Sequence, residues 1–145
     1  MLQITRQHVI SAAHRLYDYD GRCERLHGHN YRIEVTIGAP TLDRQGMVVD
    51  FAEIKKHLFG ALDAAWDHRT LLYVHDPLCG HLSAVLDDAS LCPVPFNPTA
   101  ENMAAYLGEE FFPAVLRQAD LSRVLTVDSV VVHETEGSSA RWSRS

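Results

Sequence analysis

The segment Cys23-Glu24-Arg25-Leu26-His27-Gly28-His29, preceded by Ser11-Ala12-Ala13-His14, places one thiol and three imidazoles on two neighbouring stretches of chain. Neutral imidazole suits zinc. Three histidines around zinc leave a fourth position open for water or substrate, the usual arrangement of a catalytic site, whereas a structural zinc is closed by four protein ligands. His14, His27 and His29 are therefore the candidate metal ligands, and Zn2+ is the ion expected. Cys23 has three readings: a base or nucleophile activated by nearby cations such as zinc, Arg22 and Arg25, a fourth zinc ligand, or an inert buried thiol. Spacing does not separate them.

Other residues of chemical interest lie further along. Asp67-His68 is expected at the end of a helix, where an ordered carboxylate beside an imidazole makes a proton donor or relay. The alternative is a solvated helix end with a capping histidine. Glu134 ends a long apolar strand. Its carboxylate can accept two hydrogen bonds from an amidine-like edge, or it is an exposed strand-end charge. Thr99 and Glu101 open a helix, where acidity and hydroxyls usually serve capping and the dipole, with a ligand role as the other reading.

The elements that must hold these groups follow from periodicity. Residues 2–14 predict a strand, with Leu2, Ile4, Ile10, Ala12 and His14 on one parity, shared by Arg6 and His8. Residues 27–37 alternate more cleanly, with His29, Tyr31, Ile33, Val35 and Ile37 against Asn30, Arg32, Glu34 and Thr36. Residues two apart in a strand point the same way, so His27 and His29 face the core side. Gly28 between them permits close backbone approach. Asp50 with Glu53 resembles a capping box that opens a helix running to about Trp66. The connection 70–97, with Pro77, Gly80, Pro93 and Pro95, is long enough to contain a short helix or ribbon. Asn97-Pro98 predicts the cap and first turn of a second helix, which Pro113 should kink or end. Val124–Thr135 predicts a strand whose two parities are both partly apolar, leaving the face of Glu134 open. Residues 139–145 predict a last short strand anchored by Trp142. The expected order is β-β-α-α-β-β.

The totals narrow the function classes. A chain of 145 residues suggests one domain, 1–145, able to bury a core without disulfides. A formal net charge of −6 argues against wrapping nucleic acid, although a local basic pocket for a small phosphorylated ligand is allowed. Three cysteines without framework spacing fit a reducing cytosol, and a cytoplasmic location is expected. No signal peptide is visible, and no apolar stretch approaches the roughly 18 residues of a membrane span.

Taken in order, Ala12-Ala13-His14, Cys23-x-x-x-His27-Gly28-His29, Asp67-His68, Pro98-Thr99-Ala100-Glu101-Asn102 and His133-Glu134-Thr135 resemble the 6-pyruvoyl-tetrahydropterin synthase family, which includes bacterial 6-carboxy-tetrahydropterin synthase. The resemblance spans almost the whole chain. It implies an α+β T-fold: a four-stranded antiparallel sheet with two helices on one face, joined edge to edge into an oligomeric barrel, commonly a hexamer of two trimers. It implies that His14, His27 and His29 bind Zn2+, that Cys23 is the general base, that Asp67 and His68 assist proton transfer, and that Glu134 anchors a pterin ring, with Thr99 and Glu101 beside the substrate. The site of such proteins lies between subunits. The implied substrate is 7,8-dihydroneopterin triphosphate. The implied product is 6-carboxy-5,6,7,8-tetrahydropterin with acetaldehyde and triphosphate, toward queuosine, and the alternative is the pyruvoyl product. The compact cysteine–histidine segment and short length favour the carboxy branch. The connection from Leu71 to Asn97 exceeds that of the shortest members and is long enough to reshape the pocket rim. Two other readings stay open: a non-catalytic module binding a pterin or purine through Glu134, and a structural zinc protein closed by Cys23.

Overall fold

The computed structural model describes residues 1–121 and 124–145. Two long strands, β1 (Leu2–His14) and β2 (His27–Ala39), pair antiparallel along their whole length, with His14 opposite His27 and Ala12 opposite His29. Burial follows the expected parity. Ile10, Ala12 and His14 are buried on β1, and Tyr31, Ile33, Val35 and Ile37 on β2. Arg6 and His8 also sit on the inward parity and are half-buried, and each has found a partner. Arg6 donates to the Phe51 carbonyl, while His8 pairs with Asp63 at 2.6 Å and stacks on Phe59.

A helix follows, α1, made of α-helical Phe51–Glu53, a π-helical stretch Ile54–Phe59 and α-helical Gly60–Trp66. Asp50 caps it, accepting from the Ala52 amide at 2.8 Å. Glu53 does not close the predicted box but pairs with His57 at 3.1 Å. The connection after α1 holds strand β3 (Thr70–Tyr73), a short helix α2 (Leu78–Ser83) and strand β4 (Leu91–Val94). Next come α3, with α-helical Ala100–Tyr106, a π stretch Leu107–Phe111 and α-helical Phe112–Gln118, and then β5 (Thr126–Thr135) and β6 (Ser138–Ser143).

The expectation of a four-stranded antiparallel sheet is corrected. The sheet is mixed and has six strands in the order β4-β3-β1-β2-β5-β6. The four expected strands form its antiparallel part. β3 lies parallel to β1, and β4 parallel to β3, with α2 in the crossover that parallel neighbours require. Each added strand is only four residues long and lacks a clear alternation. Pro93 sits within β4, where a missing N–H is tolerated because β4 is an edge.

The second helix departs from expectation at both ends. Its cap is Thr99, whose hydroxyl accepts from the Asn102 amide at 3.1 Å, and Asn97 is used elsewhere. Pro113 neither ends it nor sits inside a regular turn. It follows the π stretch at the start of the next α-helical segment, where the wider turn absorbs the missing N–H. Leu58, Leu62 and Trp66 of α1 and Met103, Leu107 and Phe112 of α3 bury against the sheet face that carries Tyr31, Ile33, Val130 and Val132.

Gly108 shows how tightly α3 lies on β6. A Cβ built there would overlap the Trp142 ring, whose indole N–H donates to Glu109 at 2.9 Å. Gly108→Ala is expected to force the indole out of its seat and cost about 1–3 kcal/mol. Urea unfolding checks it, and a midpoint equal to wild type would contradict the packing described.

Candidate metal centre and active site

The antiparallel pairing brings three imidazoles together at one end of the helix-covered sheet face. The rings of His14 and His27 have centroids 4.6 Å apart, His14 and His29 5.3 Å, and His27 and His29 4.9 Å. One nitrogen from each lies within 4.8 Å of the others. Hydrogen bonds fix which nitrogens these are. His14 Nδ1 lies 2.7 Å from the Pro98 carbonyl and His27 Nδ1 lies 2.6 Å from the Arg25 carbonyl. A carbonyl only accepts, so each Nδ1 must carry the proton and each Nε2 a lone pair. The two Nε2 atoms then face each other at 3.1 Å.

That arrangement suits a metal ion. Two facing lone pairs repel unless a cation lies between them. Bonds of about 2.0–2.1 Å to a tetrahedral zinc would set neighbouring nitrogens about 3.3 Å apart, close to the spacing found. The third member points the same way. His29 Nε2 is buried without a hydrogen-bond partner among the described residues, although Glu134 Oε1 lies 3.3 Å away outside hydrogen-bond geometry. Burial lowers the pKa of His14 and of His29, which keeps both rings neutral and ready to donate lone pairs. Opposing this, the Pro98 hydrogen bond raises His14, and the nearby Glu134 charge raises both rings.

Glu134 shares this face. Its contact with His29 places it there, in spite of a bulge between His133 and Thr135 that interrupts the alternation of β5. Tyr31 was not foreseen as part of the site. Its hydroxyl is buried and without a hydrogen-bond partner among the described residues, and its ring packs edge-on against His14 and His29. Burial first, then the Glu134 and Cys23 charges, push that hydroxyl well above the usual phenol range. The only sequence signal was its inward parity beside His29. The carbonyls of Arg25 and Pro98, which orient two of the ligands, leave no sequence signal at all.

Cys23 lies in a single 3-10 turn, Arg22–Glu24, half-buried, and contributes no atom to the histidine cluster. Asp67 and His68 end α1 as expected and tie its end to the β1 backbone at Ser11. Asp67 accepts from the Ser11 amide at 2.9 Å, which is the first cause of its lowered pKa, and pairs with His68 Nδ1 at 2.9 Å. His68 adopts a positive φ of 58° and its side chain is 81% exposed. It lines a cavity of about 410 Å³ with Ser11, Ala13, His29, Asn30 and Arg69. Among the described residues no hydrogen bond or ion pair joins Asp67 or His68 to the triad. Thr99 is committed as a helix cap, and Glu101 is exposed in the first turn of α3.

The lowered histidine pKa values carry a sign. A ring that must protonate at a cost in the fold, but freely when unfolded, contributes stability present above 6.5 and lost as pH falls through its depressed folded value. Metal-free protein should therefore lose thermal stability as pH falls from about 7 toward about 5, and bound metal should delay that loss to lower pH. Melting with and without chelator across that range checks it. Curves that coincide would mean that the triad binds no metal.

With this geometry in hand, likeness to known proteins becomes interpretable. The sequence pattern of the 6-pyruvoyl tetrahydropterin synthase family matches residues 3–145. A 6-carboxy-5,6,7,8-tetrahydropterin synthase of Rickettsia typhi is 34% identical over 136 residues, covering 94% of this chain and 96% of that protein. The protein of the same name from Aquifex aeolicus is 37% identical over 124 residues, covering 83% and 75%. Among solved structures, an uncharacterized protein of Wolinella succinogenes superimposes with a TM-score of 0.82 at 23% identity, covering 99% of this chain and 98% of that one, a likeness of fold. The 6-pyruvoyl tetrahydropterin synthase of Caenorhabditis elegans gives a TM-score of 0.69 at 25% identity, covering 99% and 96%. The chain belongs to the 6-pyruvoyl tetrahydropterin synthase family.

Proposed function

We propose that residues 1–145 act as one domain, a zinc-dependent 6-carboxy-5,6,7,8-tetrahydropterin synthase. Its substrate is 7,8-dihydroneopterin triphosphate, and its products are 6-carboxytetrahydropterin, acetaldehyde and triphosphate. The observation that carries this reading is the triad itself: three imidazoles with one nitrogen each within 4.8 Å of the others, and Glu134 beside His29. The names of the curated relatives support the carboxy branch over the pyruvoyl one.

In this reading His14, His27 and His29 hold the zinc, and Pro98 and Arg25 fix the tautomers of His14 and His27. Bound there, zinc would act as a Lewis acid toward the oxygens of the substrate side chain. Glu134 accepts two hydrogen bonds from the amino and ring N–H edge of the pterin. Cys23, outside the metal cluster, takes a proton from the side-chain carbon as general base. Its separation from the cluster argues against a structural zinc closed by four protein ligands. Thr99 and Glu101 stand at the entry of α3 and border the substrate.

Asp67 and His68 assist proton transfer at a neighbouring chain's triad. What supports this is that His68 is exposed and opens onto a cavity, with no bond to the triad of its own chain among the described residues. The two open edges, β4 and β6, are where chains would join. We therefore read the working form as a homo-oligomeric barrel, of hexamer size. No described helix is long and apolar enough to cross a membrane, and we place the enzyme in the cytoplasm, on the route to queuosine.

Zinc-loaded protein incubated with 7,8-dihydroneopterin triphosphate should yield acetaldehyde and 6-carboxytetrahydropterin by mass. The pyruvoyl product alone would select the other branch, and binding without product would select a non-catalytic pterin module. Cys23→Ala should keep zinc and lose about 10²–10⁴-fold in kcat. His27→Ala should lose both zinc and turnover. Normal turnover by Cys23→Ala would remove the base assignment.

A further inference from the structure

The segment between β1 and β2, residues 15–26, carries Cys23 and contains one 3-10 turn as its only regular element. A loop of that kind is ordinarily mobile, yet a catalytic thiol must be held to about half an ångström. One fixed point is the Arg25 carbonyl, held by His27 Nδ1 at 2.6 Å; the others lead to the connection after α1 or to the residue that ends it. Arg15 makes a bidentate pair with Asp76, Nε to Oδ2 at 2.7 Å and Nη2 to Oδ1 at 2.5 Å. The Asp76 side chain has no exposed surface, and it also accepts from the Leu78 amide at 2.8 Å. Asn97 grips the Tyr17 backbone as a strand partner would: Oδ1 accepts from the Tyr17 amide at 2.9 Å, and Nδ2 donates to its carbonyl at 3.1 Å. The Tyr17 and Tyr73 rings lie 6.1 Å apart. Between the two anchored residues stands Leu16, whose amide donates to the carbonyl of Cys23 at 2.8 Å.

We propose that the β3–α2–β4 ribbon is the positioning device of the Cys23 loop, with Asp76 as its main clamp through Arg15 and Asn97 as a second through Tyr17. Asp76 and Asn97 are positioning residues that do not touch substrate. The linkage runs Asp76 to Arg15, Arg15 to its neighbour Leu16, and Leu16 to Cys23. β1 pairs with β3 at Ala13 and His14, so the same ribbon also braces the strand end that presents the first metal ligand. This inference rests on the proposed role of Cys23 as the base.

The test uses the full chain loaded with zinc and compares wild type, Asp76→Asn and Asn97→Ala. Four quantities are read: thermal midpoint, zinc content, kcat with KM, and the rate at which iodoacetamide modifies Cys23, followed by peptide mass. Asp76→Asn should keep wild-type zinc, lose about tenfold in kcat with little change in KM, and alkylate at Cys23 at least about threefold faster. Asn97→Ala should move both readouts in the same direction by less. A folded Asp76→Asn protein with wild-type kcat and wild-type alkylation at Cys23 would overturn the proposal. Should Asp76→Asn fail to fold, Asn97→Ala leaves the buried pair intact and decides by the same two readouts. Faster alkylation in the variants without any turnover by wild type would uphold the clamp and sink the reaction reading instead.

Discussion

Two imidazole lone pairs held face to face are the constraint around which this structure is arranged. His14 and His27 have each given their Nδ1 proton to a backbone carbonyl, so their Nε2 atoms meet at 3.1 Å with nothing to exchange. Neutral nitrogens at that distance repel, and burial opposes the protonation that would relieve them. The chain tolerates this because the two histidines are locked opposite each other at the end of a 13-residue antiparallel pairing. A slip of one residue would send His27 and His29 to the other face together with Tyr31, Ile33, Val35 and Ile37. The hydrophobic core therefore fixes the candidate metal ligands: misplacing them would expose the apolar face of β2.

Electrostatics then set the state of the remaining groups. On the helix-covered face burial favours neutral imidazole, and Glu134 sets one negative charge near the place for a cation. Cys23 lies near enough for its charge to act on the Tyr31 hydroxyl, yet stands outside the histidine cluster. At the end of α1, Asp67 is tied to the β1 backbone and holds the exposed His68.

The sequence disclosed those parts whose physics is local and periodic. Alternation along 27–37 set His27 and His29 on the inward face, and the Asp50 cap with its helical spacing set the start of α1. Parity does not read β5, where Val130, Val131 and Val132 are all buried and a bulge lies at Glu134, and only the contact with His29 gives Glu134 a direction. The cap of α3 was misplaced by two residues because Asn97, a good cap by type, is spent on Tyr17 while Thr99 does the capping. Long-range hydrogen bonds decide such cases, and composition does not encode them. The carbonyls of Arg25 and Pro98 are the extreme case, since every residue has one.

The connection 70–97 shows the same limit and also why it matters. Four-residue strands have too little length for a period to register, and a proline within one of them reads as a loop. Their stability is not local. β3 borrows its order from the end of β1, and β4 borrows from β3. An element that exists only because a neighbour supplies its hydrogen bonds is bound to that neighbour, and here the neighbour is the strand end bearing His14. The buried Asp76 strengthens the bond in the other direction. Its side chain has no exposed surface, and its pKa is pulled down chiefly by the Arg15 guanidinium, so that pair ties the ribbon to the loop. Burial of a charge in a segment of such weak intrinsic structure is costly unless the segment and the loop order each other. The least readable stretch of the chain is for that reason coupled most directly to the strand end that bears His14 and the loop that bears Cys23.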